Sequence, residues 1–163
     1  MSSNILEVID RLRSRGFSWE DTLNYLVENY GVLLHGSRID ISEDYLGPNH
    51  EGDVFATNLA SIAILKAITS NRGLIHPGFV YPYKISDKNP LILKIYGIQQ
   101  YTIGSEGFVY IITNKAGFRN NPEGSWQYVK KGTNVQYSLK IKISRENFVY
   151  PIYDVTNDQW VQQ

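Results

Sequence analysis

Apolar positions recur at helical spacing from the start of the chain. Ile5, Val8, Ile9 and Leu12 follow the i, i+3, i+4, i+7 pattern of one helix face, and Asn4 with Glu7 resembles a capping box. Gly16 ends that helix. Ser18-Trp19-Glu20-Asp21 opens a second, with Ser18 as cap and Asp21 in the first turn; Leu23, Leu26, Val27 and Tyr30 form its apolar stripe, and Gly31 terminates it. Residues 1–30 therefore read as a hairpin of helices. Val32–Leu34 is a short apolar run, expected as a buried strand that delivers His35 and Gly36 at its end. Arg38–Gly52 is polar, contains Gly47-Pro48-Asn49, and reads as a loop. Val54–Ala56 is a second short strand. Thr57 or Asn58 is expected to cap a third helix that carries Ile62, Leu65, Lys66 and Ile68 and closes at Asn71-Arg72-Gly73.

Beyond residue 75 the period changes from helix to strand. Val80–Tyr83, Leu91–Tyr96, Phe108–Thr113, Trp126–Lys130, Tyr137–Ile143 and Asn147–Ile152 read as strands separated by Gly, Asn, Asp and Pro clusters. Leu139–Ile143 alternates strictly, which buries one face and wets the other. Helices first and strands later predict an α+β fold in a single domain over residues 1–163, a helical hairpin (1–30) followed by a mostly β core (31–163).

Composition narrows the functional classes. The Tyr- and Phe-rich second half suits sheet. Sixteen basic residues balance sixteen acidic ones, so non-specific nucleic-acid binding, which needs phosphate neutralisation, is not favoured. With no cysteine there is no disulfide, thiolate nucleophile or Cys-based zinc site. Charged residues interrupt the apolar pattern of Met1–Gly16, unlike a signal peptide, and no apolar run matches a membrane span, so a cytoplasmic protein, or one delivered to a target cell, is expected.

Candidate chemistry centres on His35-Gly36-Ser37. His35, His50 and His76 are not spaced as metal ligands, and no phosphate-binding glycine loop or Gly-x-Ser-x-Gly elbow is present. A histidine at a strand end followed by a glycine and a hydroxyl can cradle a ribose or an amide; the alternative is a structural histidine beside a turn.

The segment Leu34-His35-Gly36-Ser37, the loop with Pro48, and Val54-Phe55-Ala56-Thr57-Asn58 running into the Ala-rich helix at Leu59-Ala60-Ser61-Ile62-Ala63 together resemble the ADP-ribosyltransferase superfamily. The resemblance is to the small bacterial branch that includes the rifampin ADP-ribosyltransferases and, more distantly, the RNA 2′-phosphotransferases. It implies a split β-sandwich that binds NAD as a substrate and transfers ADP-ribose to a macromolecular or small-molecule acceptor. In that frame His35 would hydrogen-bond a ribose, Gly36 and Ser37 would hold the nicotinamide carboxamide, Phe55 would stack on the nicotinamide in place of the family's tyrosine, and Thr57 would cap the next helix and line the pocket. Arg38 would pair with the pyrophosphate. The family's third motif, a carboxylate that holds the ribose and stabilises developing positive charge, falls at Gln127, with Glu123 as the fallback. Gln127 carries no charge, so a second reading is a module that binds a nucleotide, or a protein partner through the N-terminal helices, without catalysis. The RNA 2′-phosphotransferase reading would need basic residues around the cleft. Lys130-Lys131 with Lys140 and Lys142 reads as a basic strip near the site, or as a wet strand face. Tyr81-Pro82-Tyr83 reads as an edge strand, and Trp126 as core rather than ligand contact.

Overall fold

The computed structural model describes residues 2–70, 79–80, 93–95, 102–121 and 124–162. Glu123, His76, Tyr81-Pro82-Tyr83, the Asn71-Arg72-Gly73 helix stop, and parts of the strands expected over 80–83 and 91–96 lie outside these residues.

Helix α1 (Ser2–Ser14) buries the stripe read from the sequence: Ile5, Val8, Ile9 and Leu12 are each at most 5% exposed. Asn4 lies inside the helix rather than at its cap. Helix α2 (Trp19–Tyr30) follows after Gly16. The Ser18 hydroxyl accepts from Asp21 N at 3.0 Å, and left-handed Gly31 (φ 64°) donates to Val27 O, so both ends are capped as expected. Strand β1 (Leu33–Ser37) runs on past the apolar triplet, so His35 and Gly36 sit inside a strand instead of beyond its end. The following loop holds the short strand β2 (Tyr45–Leu46), then come β3 (Asp53–Thr57) and α3 (Ala60–Ile68).

Neither Thr57 nor Asn58 caps α3. Leu59 holds the cap position, the Thr57 hydroxyl accepts from Leu59 N at 3.1 Å, and Asn24 of α2 receives the Ala60 N–H at 3.2 Å. The cap is tertiary, which no local pattern reveals. The helix also stops at Ile68, short of the expected glycine, because Thr69 enters β4 (Thr69–Ser70).

The remaining elements are β5 (Phe79–Val80), β6 (Leu93–Ile95), β7 (Thr102–Ile103), β8 (Glu106–Ile112), β9 (Arg119–Asn121), β10 (Gly124–Lys131), β11 (Val135–Gln136), β12 (Leu139–Ser144), β13 (Ile152–Asp154) and β14 (Gln159–Gln162). The strand expected over Asn147–Ile152 is not one. Arg145–Asn147 forms a 3-10 turn, closed by Asn147 Oδ1 accepting from Ser144 N, and the chain is irregular until Ile152. Tyr137 likewise precedes its strand. The fold is α+β, as the element pattern implies. Among the described residues no helix is long and apolar enough to cross a membrane.

The largest sheet has the order β12-β8-β1-β3-β10-β9 and is antiparallel throughout. A second sheet has the order β14-β13-β6-β5, with β13 parallel to β6. The helices cover one face of the six-stranded sheet. There Leu34, Val109, Ile111, Ile141 and Ile143 meet α3 and the α1–α2 hairpin, while Leu33, Val54, Ala56, Tyr110 and Ile112 form a separate cluster on the other face. Alternation along each strand produces this division.

Two glycines seat α3. A Cβ on Gly36 would lie 2.0 Å from Ala63 O, and one on Gly107 of β8 would lie 1.6 Å from Ala67 O. The helix backbone thus rests on the sheet where no side chain fits. Every α3 residue except Lys66 is buried, which explains a helix apolar nearly all round.

Candidate functional site

The six-stranded sheet opens at its middle. β1 is laddered to β8 from Leu33 to Ser37, but to β3 only at Leu34 opposite Thr57. Past that pair the backbone edge of β1 faces an opening rather than a neighbouring strand. The His35 ring spans it, with Nδ1 2.6 Å from Phe55 O. A carbonyl oxygen only accepts, so Nδ1 carries the hydrogen and Nε2 presents a lone pair. Burial pushes the His35 pKa below its ordinary value of 6.5; the bond to Phe55 opposes this and the Lys66 charge adds to it. The ring is therefore neutral near pH 7. Tyr110, fully buried, lies behind it with ring centroids 6.1 Å apart. The Tyr110 hydroxyl donates to Ile39 O and accepts from Ile41 N, pinning the loop that leaves β1.

A cavity of about 520 Å³ occupies the opening, within the range of small-molecule sites. His35, Gly36, Phe55, Thr57 and Gln127 all line it. Register brings Gly36, Phe55, Thr57 and Gln127 to one face, while His35, opposite Tyr110 on the other face, enters through its bond to Phe55 O in the gap between the strands. Gln127 lies opposite Thr57, so both face the side covered by α3, and Phe55 lies two residues from Thr57 on the same face. The Gln127 carbonyl accepts from Asn120 Nδ2 at 3.5 Å, which ties β10 to β9 beside the cavity.

Two expected residues do not join them. The Ser37 hydroxyl turns back to accept from Ile39 N at 3.1 Å, and Ser37 does not line the cavity. The Arg38 guanidinium packs over Gly104, where a Cβ would come within 2.6 Å of it, and Arg38 is absent from the lining. Both sit beyond the point where β1 leaves the opening.

Other residues enter the site without a local signal. Trp126, read as core, lines the cavity, as do Lys66 and Ile62 from α3. The polar loop contributes Asn49 and Glu51. That loop is a built turn: Asn49 Oδ1 accepts from Glu51 N at 2.9 Å and Asp53 N at 3.0 Å, Asn49 N donates to Asp53 O, and Gly52 O accepts from Gly132 N. It presents the Glu51 carboxylate at the mouth, next to exposed His50.

The basic strip does not form. β10 and β12 are separated by β3, β1 and β8, so Lys130 and Lys131 lie far from Lys140 and Lys142 across the sheet. Lys140 is paired with Asp40, and Lys142 with Glu106 at 3.0 Å.

The chain matches no family model, no curated protein and no solved structure.

Proposed function

We propose that this cavity binds NAD and that the protein is an ADP-ribosyltransferase of the split-sheet type. The observation that carries the reading is the convergence of His35, Gly36, Phe55, Thr57 and Gln127 on one cavity where β1 and β3 separate. These residues come from two sequence segments and a third strand, in the order that the resemblance requires.

The chemistry of the lining supports it. The Phe55 face suits a flat nicotinamide ring. The unladdered edge of β1 at Gly36 offers backbone groups to a carboxamide. Nε2 of neutral His35 accepts from a ribose hydroxyl, and the Gln127 amide can bond the same sugar. Reaction breaks the C1′–N bond, whose electron pair leaves with neutral nicotinamide. The acceptor nucleophile then bonds C1′ and gives its proton to water. Positive charge gathers on the ribose meanwhile, and a nearby anion lowers that barrier. Gln127 supplies none; Glu51 is the carboxylate among the described lining residues.

Incubation with NAD labelled in the nicotinamide ring tests the reading, with and without cell lysate as acceptor. Release of nicotinamide is expected, and His35→Ala abolishes it. Glu51→Gln lowers the rate by about tenfold or more while NAD still binds in calorimetry. Absence of NAD binding by the wild type overturns the proposal. The neutral Gln127 favours a second reading, binding without turnover; NAD binding with no nicotinamide release under any condition selects it.

A further inference from the structure

A second cavity adjoins the first at Phe55. Its volume is about 750 Å³, and its polar lining is Asp53, Arg119, Asn120 and Lys131. Phe55 lines both cavities, and the strand register sets lining residues of both along one face. Thr57 lies opposite Gln127, Phe55 opposite Val129, and Asp53 opposite Lys131, while Arg119 of β9 lies opposite Val129. Residues two apart share a face, so these pairs form successive rows on one side of β3, β10 and β9. From Gln127 to Lys131 is four residues, about 13 Å along the strand.

Charge differs between the two ends. Arg119 and Lys131 outnumber Asp53, leaving one net positive charge in the second cavity. Neither cation takes part in an ion pair among the described residues. The guanidinium fork matches a phosphate with two parallel bonds, and the lysine adds a point charge. Arg38, the residue expected to meet a pyrophosphate, is turned onto Gly104 instead.

We propose that the Arg119–Lys131 cavity is an anion subsite that receives the diphosphate of a nucleotide whose ring end occupies the His35 cavity. The proposal rests on the reading of that first cavity as a nucleotide site. The ligand lies along β10, with the Phe55 ring at the divide between its flat, uncharged end and its charged end.

Calorimetry with inorganic pyrophosphate, free nicotinamide and NAD separates the two claims. Wild type is compared with Arg119→Ala, Lys131→Ala and the charge-keeping Arg119→Lys; Lys142→Ala, on the far edge of the sheet, is the control. Pyrophosphate and NAD are expected to bind about tenfold or more weakly to the two alanine variants, with partial recovery in Arg119→Lys. Nicotinamide binds all variants alike, and pyrophosphate binding to wild type falls as salt rises. If NAD binds all five proteins equally, the subsite is refuted and the reading of the His35 cavity stands. If pyrophosphate binds through Arg119 but NAD does not bind, the subsite stands and that reading falls. If wild type binds neither, both fall.

Discussion

His35 shows how one side chain joins stability to the site. It closes the gap between β1 and β3 through its bond to Phe55 O, and burial lowers its pKa. In the unfolded chain the ring recovers its ordinary value of about 6.5. Below that pH the unfolded state binds more protons than the folded state. The contribution of His35 is thus fully present above about pH 6.5 and is lost as pH falls below it toward the lower folded pKa. Denaturant midpoints at about pH 7.5 and about pH 5.5 should show a larger acid loss for wild type than for His35→Asn. Parallel pH profiles for the two proteins would rule this account out. The residue types at this scale were legible beforehand: His35, Gly36, Phe55, Thr57 and Gln127 were all singled out and all meet at one cavity. Glu51, Asn49 and Lys66 were not, because a polar loop residue and a lone lysine on an apolar helix carry no mark of the cavity they face.

At the scale of elements, α3 lies against β1 and β8 at glycines. The sequence offers Gly36 as a site for ligand approach; the backbone of α3 approaches it too, with Ala63 O and Ala67 N in the space that a Cβ would fill. Neither is the end of a flexible side chain, so the helix itself would have to shift. Gly36→Ala should cost about 1–3 kcal/mol or more, as overpacking does, and lower the thermal midpoint by about 2–4 °C for each kcal/mol. Thermal unfolding followed by circular dichroism measures it, and a midpoint equal to that of wild type would contradict the close packing. The periodic helices α1 and α2 are readable in the sequence, and so are both caps of α2, since capping and amphipathic spacing are local; the capping box expected at Asn4 falls inside α1. The start and stop of α3 were not: its first N–H is satisfied by Asn24 from another helix, and its end is set by entry into β4. The irregular segment before β13 looked like a strand because its aromatics are apolar, yet Phe148 is buried against the helical layer and the Asn147 side chain closes a 3-10 turn.

At the scale of the whole molecule, the C-terminal segment is tied back to the start of α2. The Tyr150 hydroxyl donates to the Glu20 carboxylate at the start of α2, and Gln162 Nε2 donates to the carbonyls of Phe148 and Tyr150. Burial raises the Glu20 pKa, and the bond from Tyr150 holds that rise back. Tyr150→Phe removes the donor from a partly buried carboxylate. It should cost about 1 kcal/mol, allowing for partial exposure, and let the Glu20 pKa climb further. Carboxyl chemical shifts titrated by NMR report the second effect; a Glu20 titration unchanged in the variant would show that the hydroxyl does not act on it.

By itself the sequence determined the class of the fold, the helical hairpin with the caps of its second helix, the alternation along β12, and five of the residues that line the His35 cavity. These follow from spacing and residue type, which act over a few positions. Only the tertiary structure decided that β1 and β3 part after a single pair, that Ser37 and Arg38 turn away, and that Glu51, Lys66 and Trp126 join the lining. It also separated the lysines of β10 from those of β12 by three intervening strands. Strand order and register set which distant residues become neighbours, and nothing in the local pattern of one strand specifies the strand beside it.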